Sequence, residues 1–189
     1  LNQTLAPGVS LTLPGFGWVL VPEEREALYY PRNSEFWTAR LVRGDGEAGA
    51  VMLKAIDVSQ GGAVLEAALR EAALMERFGG RPCFLRYHGS WGAKDRVILI
   101  TEPFDGNFLS EVSKKKFDKI GVVDRVRLIE EILEGAEEMA HHGLVHRGLR
   151  PTEIMVKRDG NDRLHAKLQG LDTALSTESG PRLARLSAH

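Results

Sequence analysis

One cysteine, Cys83, stands alone among 189 residues. No disulfide within the chain can staple the fold, and the scarcity of cysteine fits a reducing, intracellular and cytoplasmic setting. Long apolar runs are missing too; none approaches the roughly 20 residues of a spanning helix, so no membrane association is expected. Excess charge is also lacking. Lys and Arg number 25 against 26 Asp and Glu, a net charge of −1, which leaves no electrostatic footprint for nucleic acid or an anionic bilayer. No signal peptide is visible, but the chain begins with Leu1 and not Met, so a targeting segment stays an open matter. What is present, 43% hydrophobic and 27% charged residues, suits a globular protein with a real core. The length allows one medium domain or two small lobes sharing a cleft.

The chain shows no internal repeat and no low-complexity tract. Residues 11–13 and 18–21 read as strands interrupted by Pro14 and Pro22. Residues 36–42 and 50–56 are strand-like, joined by the glycine-rich turn at 43–49. Residues 63–78 carry Leu65, Leu69, Ala72 and Met75 at helical spacing, with Gly79 and Gly80 as the stop. Strands are expected at 84–87 and 96–101, then a connector at 102–107 with Pro103 and Gly106. Asp124 is the expected N-cap of a long helix whose stripe is Val126, Ile129, Leu133, Ala136 and Ala140, ended by Gly143. Leu128, Ile132 and Met139 widen its apolar surface as core. A hairpin follows at 154–156 and 164–168; Lys114, Lys115 and Lys116 read as a solvated helix end.

Three segments carry the chemistry. Residues 146–153 are H-R-G-L-R-P-T-E, residues 51–54 are V-M-L-K, and residues 167–174 are K-L-Q-G-L-D-T-A. In this order they resemble the catalytic loop H-R-D-L-x-x-x-N, the V-A-I-K strand and the K-L-x-D-F-G-L-A segment of protein kinases. The resemblance runs from about Tyr29 to Asp172. It implies an α+β, protein kinase-like fold: a β-rich small lobe with one helix, then a partial, mainly helical large lobe. The expected divisions are an N-terminal extension at 1–28, the small lobe at 29–102 and the incomplete large lobe at 103–189. In the family a later buried helix covers the long helix, and no A-P-E element or further helix-period segment follows Asp172 here. The stripe from Val126 to Ala136 therefore needs a cover, from a longer polypeptide or from a protein partner.

Read against the family's motifs, the chemistry is degraded. The catalytic Asp position is Gly148, the metal-binding Asn position is Glu153 and the metal-binding Asp position is Gly170. Glycine can neither take a proton nor hold magnesium, which needs oxygen ligands. Lys54 and, by register, Glu71 match the family's lysine that grips the nucleotide phosphates and the helix glutamate that pairs with it. An exposed pair of that kind is worth only ~0–1 kcal/mol, and it can equally serve only to hold the helix on the sheet. Gly44, Gly46 and Gly49 satisfy G-x-G-x-x-G as a string, but Gly49 lies five positions before Lys54, so the string is a hairpin tip. Residues 36–40, F-W-T-A-R, resemble the family's V-Y-x-A-R and place the phosphate loop at 29–35, which lacks glycine and contains Tyr30, Pro31 and Glu35. The adenine-contacting positions fall on Phe36, Met52 and Met155. Methionine for alanine adds about three heavy atoms, which a close-packed site does not absorb silently, so these three side chains are expected to fill part of the pocket.

Other apparent signals are weaker. His141, His142 and His146 lack a cysteine or acidic ligand at zinc spacing, and no metal is expected. Residues 89–92, G-S-W-G, do not form a nucleophile elbow. The expected function is a catalytically inactive kinase-like domain, a pseudokinase, serving as a protein-interaction scaffold with no cofactor. One alternative is a regulator that binds ATP without magnesium through Lys54 and Glu71. The other is an atypical serine/threonine kinase with Glu153 and Asp172 as substitute carboxylates, although loss of a general base alone costs ~10²–10⁴ in rate. A small-molecule substrate is not expected.

Overall fold

The computed structural model describes residues 11–13, 18–26, 34–42, 48–93, 95–113 and 120–177. Most of the expected phosphate loop (29–33), the hairpin tip (43–47), the lysine run (114–116) and the tail from 178 lie outside the described residues. The first body is an antiparallel sheet with one helix. Its strands are β1 (Leu11–Leu13), β2 (Trp18–Glu26), β3 (Ser34–Val42), β4 (Ala48–Asp57), β5 (Tyr87–Ala93) and β6 (Arg96–Thr101), in the order β1-β2-β3-β4-β6-β5. β2 lies N-terminal of residue 29 yet joins this sheet, with a register shift between Pro22 and Glu24 where proline cannot donate. Gly49 pairs with Leu41 inside the β3–β4 ladder, so the G-x-G-x-x-G string ends in a strand.

Period-two alternation fixes what each strand offers. Trp37, Ala39 and Leu41 pack with Val51, Leu53 and Ala55 in one apolar layer. Phe36 stands opposite Lys54 in the ladder and therefore shares its face, with Met52 two residues away. The helix α1 (Gly62–Phe78) is rich in alanine, leucine, glutamate and arginine, all good helix formers. It sets Ala68 and Ala72 against Ile56, Val97 and Leu99.

Its inward face departs from the expected stripe. Ala68, Glu71, Ala72, Met75 and Phe78 are buried, whereas Leu65 and Leu69 are 39% and 54% exposed. Hydrophobicity alone assigns the face wrongly because a charged residue, Glu71, sits at its centre. With about 100° between successive residues, an arc centred on Glu71 and Met75 leaves Leu69 outside it. A second correction concerns residues 84–87. Only Tyr87 begins a strand; Phe84 and Leu85 are fully buried, Phe84 forms an isolated parallel bridge with Leu168, and Leu168 N donates to Cys83 O at 2.8 Å. This apolar run ties the two bodies together.

The second body comprises β7 (Gly106–Asn107), α2 (Phe108–Ser113), α3 (Val122–His141), β8 (Leu144–Val145), β9 (Ile154–Arg158), β10 (Leu164–Leu168), a 3-10 turn (Leu171–Thr173) and β11 (Leu175–Ser176). Its sheets are β10-β9-β7 and β11-β8. The short α2 had no expected range beyond the helix end read at 114–116, although Asn107 signals its start: Ser110 N donates to Asn107 Oδ1 at 2.8 Å, an N-cap bond. α3 starts at Val122 after Gly121, so Asp124 is not the N-cap. It lies in the first turn, where it suits the helix dipole and pairs with Arg127 at 3.0 Å. Leu128, Gly135 and Met139 face inward and Ile132 packs beside them, as the wider apolar surface implies. The stripe residues Val126, Ile129 and Leu133 are 48%, 55% and 61% exposed. Among the described residues, no helix is long and apolar enough to cross a membrane.

Candidate functional site

Lys54 comes from β4 and Glu71 from the inward face of α1. Lys54 Nζ donates to both carboxylate oxygens of Glu71, at 2.7 and 2.9 Å. Exposure is 4% for the lysine and 1% for the glutamate. The pair is therefore not the solvated, nearly valueless contact of a surface salt bridge; each partner depends on the other for its burial.

Beyond β8 the loop at 146–153 is anchored through His146, itself buried. Its Nε2 donates to Gln169 O at 2.9 Å, and its Nδ1 accepts from Gly148 N at 3.3 Å. Those partners fix the tautomer. Arg147 holds a positive φ of 60°, a left-handed conformation that costs a non-glycine residue roughly 1–2 kcal/mol and that the bonds on either side sustain. Glu153 N closes a turn onto Arg150 O at 2.8 Å, and Glu153 O accepts from Gln169 N at 3.0 Å. The two ends of the loop, at His146 and Glu153, are thus both hydrogen-bonded to Gln169 of the 167–174 segment.

The degenerate positions are crowded. A Cβ on Gly148 would overlap Thr173 Oγ1, whose hydroxyl donates to His146 O at 2.9 Å. Gly170 is left-handed, φ 72°, and a Cβ there would overlap Glu153 Oε2 and lie 2.5 Å from Glu153 Cδ. Glu153 is 2% exposed. Its carboxylate stands in the volume that a residue-170 side chain would need. Neither Gly148 nor Gly170 offers a side-chain oxygen. Leu171 is buried in the core cluster that contains Met75 of α1, and Arg70 Nη1 donates to Asp172 O at 3.1 Å.

Phe36, Met52 and Met155 are buried members of that same cluster. Phe104 joins them, its ring edge-to-face with Phe36 at 5.7 Å between centroids. Sequence reasoning missed Phe104 because it treated 102–107 only as a connector. Thr173 was missed for another reason: nothing local marks a threonine that will meet a glycine 25 positions earlier. Glu102 anchors the connector, accepting from Arg86 N at 3.0 Å and from Lys157, with Lys167 3.2 Å away. Burial alone would push the Glu102 carboxyl up, but these donors hold it below its ordinary 4.5. Of the histidines at 141, 142 and 146, His141 is exposed beside Glu137, and His142 lies between Arg77, 3.1 Å from its Nδ1, and Arg81, 2.9 Å from its Nε2, of which a neutral ring accepts from one at a time.

The order of these parts, with the lysine–glutamate pair ahead of the histidine-anchored loop, has a counterpart in known families. The sequence profile described as protein tyrosine and serine/threonine kinase matches residues 31–179. The chain belongs to this protein kinase family. Within it, the chain is 29% identical over 80 residues to "Serine/threonine-protein kinase fray1" of Dictyostelium discoideum, a match covering 42% of this chain and 14% of that protein. The chain thus spans a small part of this kinase relative. The kinase-like α+β fold is shared.

Proposed function

We propose that this kinase-family domain is catalytically inactive and works as a protein-interaction scaffold. The observation that carries the reading is the state of Gly148 and Gly170: both lack the needed oxygens, and Thr173 and Glu153 stand in the space where such side chains would project. Phosphoryl transfer depends on positioning and charge neutralisation. A single protein carboxylate at position 153, with none at 148 or 170, does not fit the magnesium–nucleotide seat that the family implies, and no step is routed through it. Phe36, Met52 and Met155, with Phe104, occupy the adenine side. The partner surface in this reading is the outer face of α3, where Val126, Ile129 and Leu133 stand exposed.

The test is incorporation of labelled phosphate from Mg·ATP into the chain and into generic acceptor proteins. Background incorporation is expected. Incorporation lost in Glu153→Gln and Asp172→Asn would instead establish an atypical serine/threonine kinase. A second reading, a regulator that binds ATP without magnesium, is favoured by the intact Lys54–Glu71 pair. ATP binding in EDTA that disappears in Lys54→Ala would support it, and equal binding by that variant would remove it.

A further inference from the structure

Loss of a catalytic residue to glycine leaves either a vacancy or a filled volume, and the two have different consequences. At both glycines here the volume is filled. At Gly148 the occupant is Thr173, whose hydroxyl oxygen lies inside the contact distance of any Cβ; Thr173 Cβ itself would be 3.5 Å away, an ordinary contact. At Gly170 the occupant is Glu153, whose Oε2, Cδ and Cγ would all be met at 3.1 Å or closer. The Thr173 hydroxyl is fastened by its bond to His146 O; at Glu153 the backbone is fastened, by bonds to Arg150 O and from Gln169 N, and the side chain is buried at 2% exposure. The two pairs run in opposite directions between the same two segments. Thr173 reaches from the 167–174 segment into the loop, and Glu153 reaches from the loop into the 167–174 segment.

We infer that Thr173 and Glu153 are plugs: reciprocal space-filling residues that lock the loop at 146–153 to the 167–174 segment and exclude side chains, and with them a metal ion, from positions 148 and 170. This rests on the kinase-family reading of the cleft and deepens it. The inactive state is a packed arrangement, not an emptied one. Because Leu171 is buried beneath α1 and Arg70 of α1 grips Asp172 O, the lock also fixes α1 to the loop with no nucleotide required. One back-substitution cannot reopen such a site, since the incoming side chain meets its plug.

The test is a pair of thermal-unfolding cycles on the full chain without nucleotide or metal. Gly148→Ala is expected to lower Tm by about 3–8 °C, a typical overpacking loss, and at least half of that loss should vanish in a Thr173→Ala background. Gly170→Ala carries an added backbone strain from its left-handed φ, but the strain is common to both backgrounds and cancels. Its remaining loss should shrink in Glu153→Ala and persist in Glu153→Gln, which keeps the volume and drops the charge. If Gly170→Ala fails to fold alone, recovery of folded protein with Glu153→Ala carries the same meaning. Gly170→Asp alone should show no magnesium-dependent stabilisation by ATP. Additive losses in both cycles, or magnesium-dependent stabilisation in that single variant, would overturn the inference. Phosphotransfer by the unaltered chain would sink the scaffold reading and leave the cycles untouched, so the two failures are separable.

Discussion

Replacing Lys54 with alanine strands the Glu71 carboxylate at 1% exposure without the donors now 2.7 and 2.9 Å away. Breaking a buried pair by removing one partner costs about 3–5 kcal/mol, because the survivor is left charged in a poor dielectric. For a domain of this size, 1 kcal/mol moves Tm by about 2–4 °C, so the expected fall is on the order of 6–20 °C. A surface pair would cost at most ~1 kcal/mol. The double replacement Lys54→Met with Glu71→Leu leaves no stranded charge, and such replacements are often neutral or stabilising. It is therefore expected to melt near or above the unaltered protein. Circular dichroism melts of the singles and the double, in nucleotide-free buffer, read both quantities. A Lys54→Ala variant within about 1 kcal/mol of the parent, or a double that costs the sum of its singles, would refute a structural role for the pair.

Gly135→Ala should destabilise by about 1–3 kcal/mol despite the better helix propensity of alanine, since the new Cβ would lie 2.6 Å from Leu168 Cδ1 and 3.2 Å from Cys83 Cβ; chemical denaturation measures it. Partial burial, reinforced by Glu134, pushes the Cys83 thiol up from its ordinary value, so iodoacetamide should alkylate it slowly at pH 8, and Glu134→Gln should speed the reaction. Glu102 titrates below 4.5 in the fold, so its stabilising contribution is present above pH 4.5 and drains as pH falls through the lower folded value. Tm measured against pH should accordingly decline less steeply on the acid side in Glu102→Gln.

How much of this was legible in the chain depended on the range of the interaction. Strand pairing around Lys54, both long helices and the 154–168 hairpin follow from periodicity and turn composition, and the resemblance at 51–54, 146–153 and 167–174 pointed to the candidate site. Local patterns misled where a tertiary partner overrides them. Glu71 turns α1 so that Leu65 and Leu69 face outward, and Phe84 leaves its strand to bridge Leu168. The cap of α3 went to Gly121 and not to Asp124, a reminder that an acidic residue in the first turn serves the dipole as well as a cap. Least legible were the contacts of Thr173 with Gly148 and of Glu153 with Gly170. Both are meetings of distant residues whose only sequence trace is a glycine at each end of the site.

Calorimetric titration of the full chain with ATP, once in magnesium and once in EDTA, addresses the central claim most directly. The account predicts no binding that depends on magnesium, whatever residual heat the Lys54–Glu71 pair supports. Saturable binding that appears with magnesium and vanishes in EDTA would contradict it.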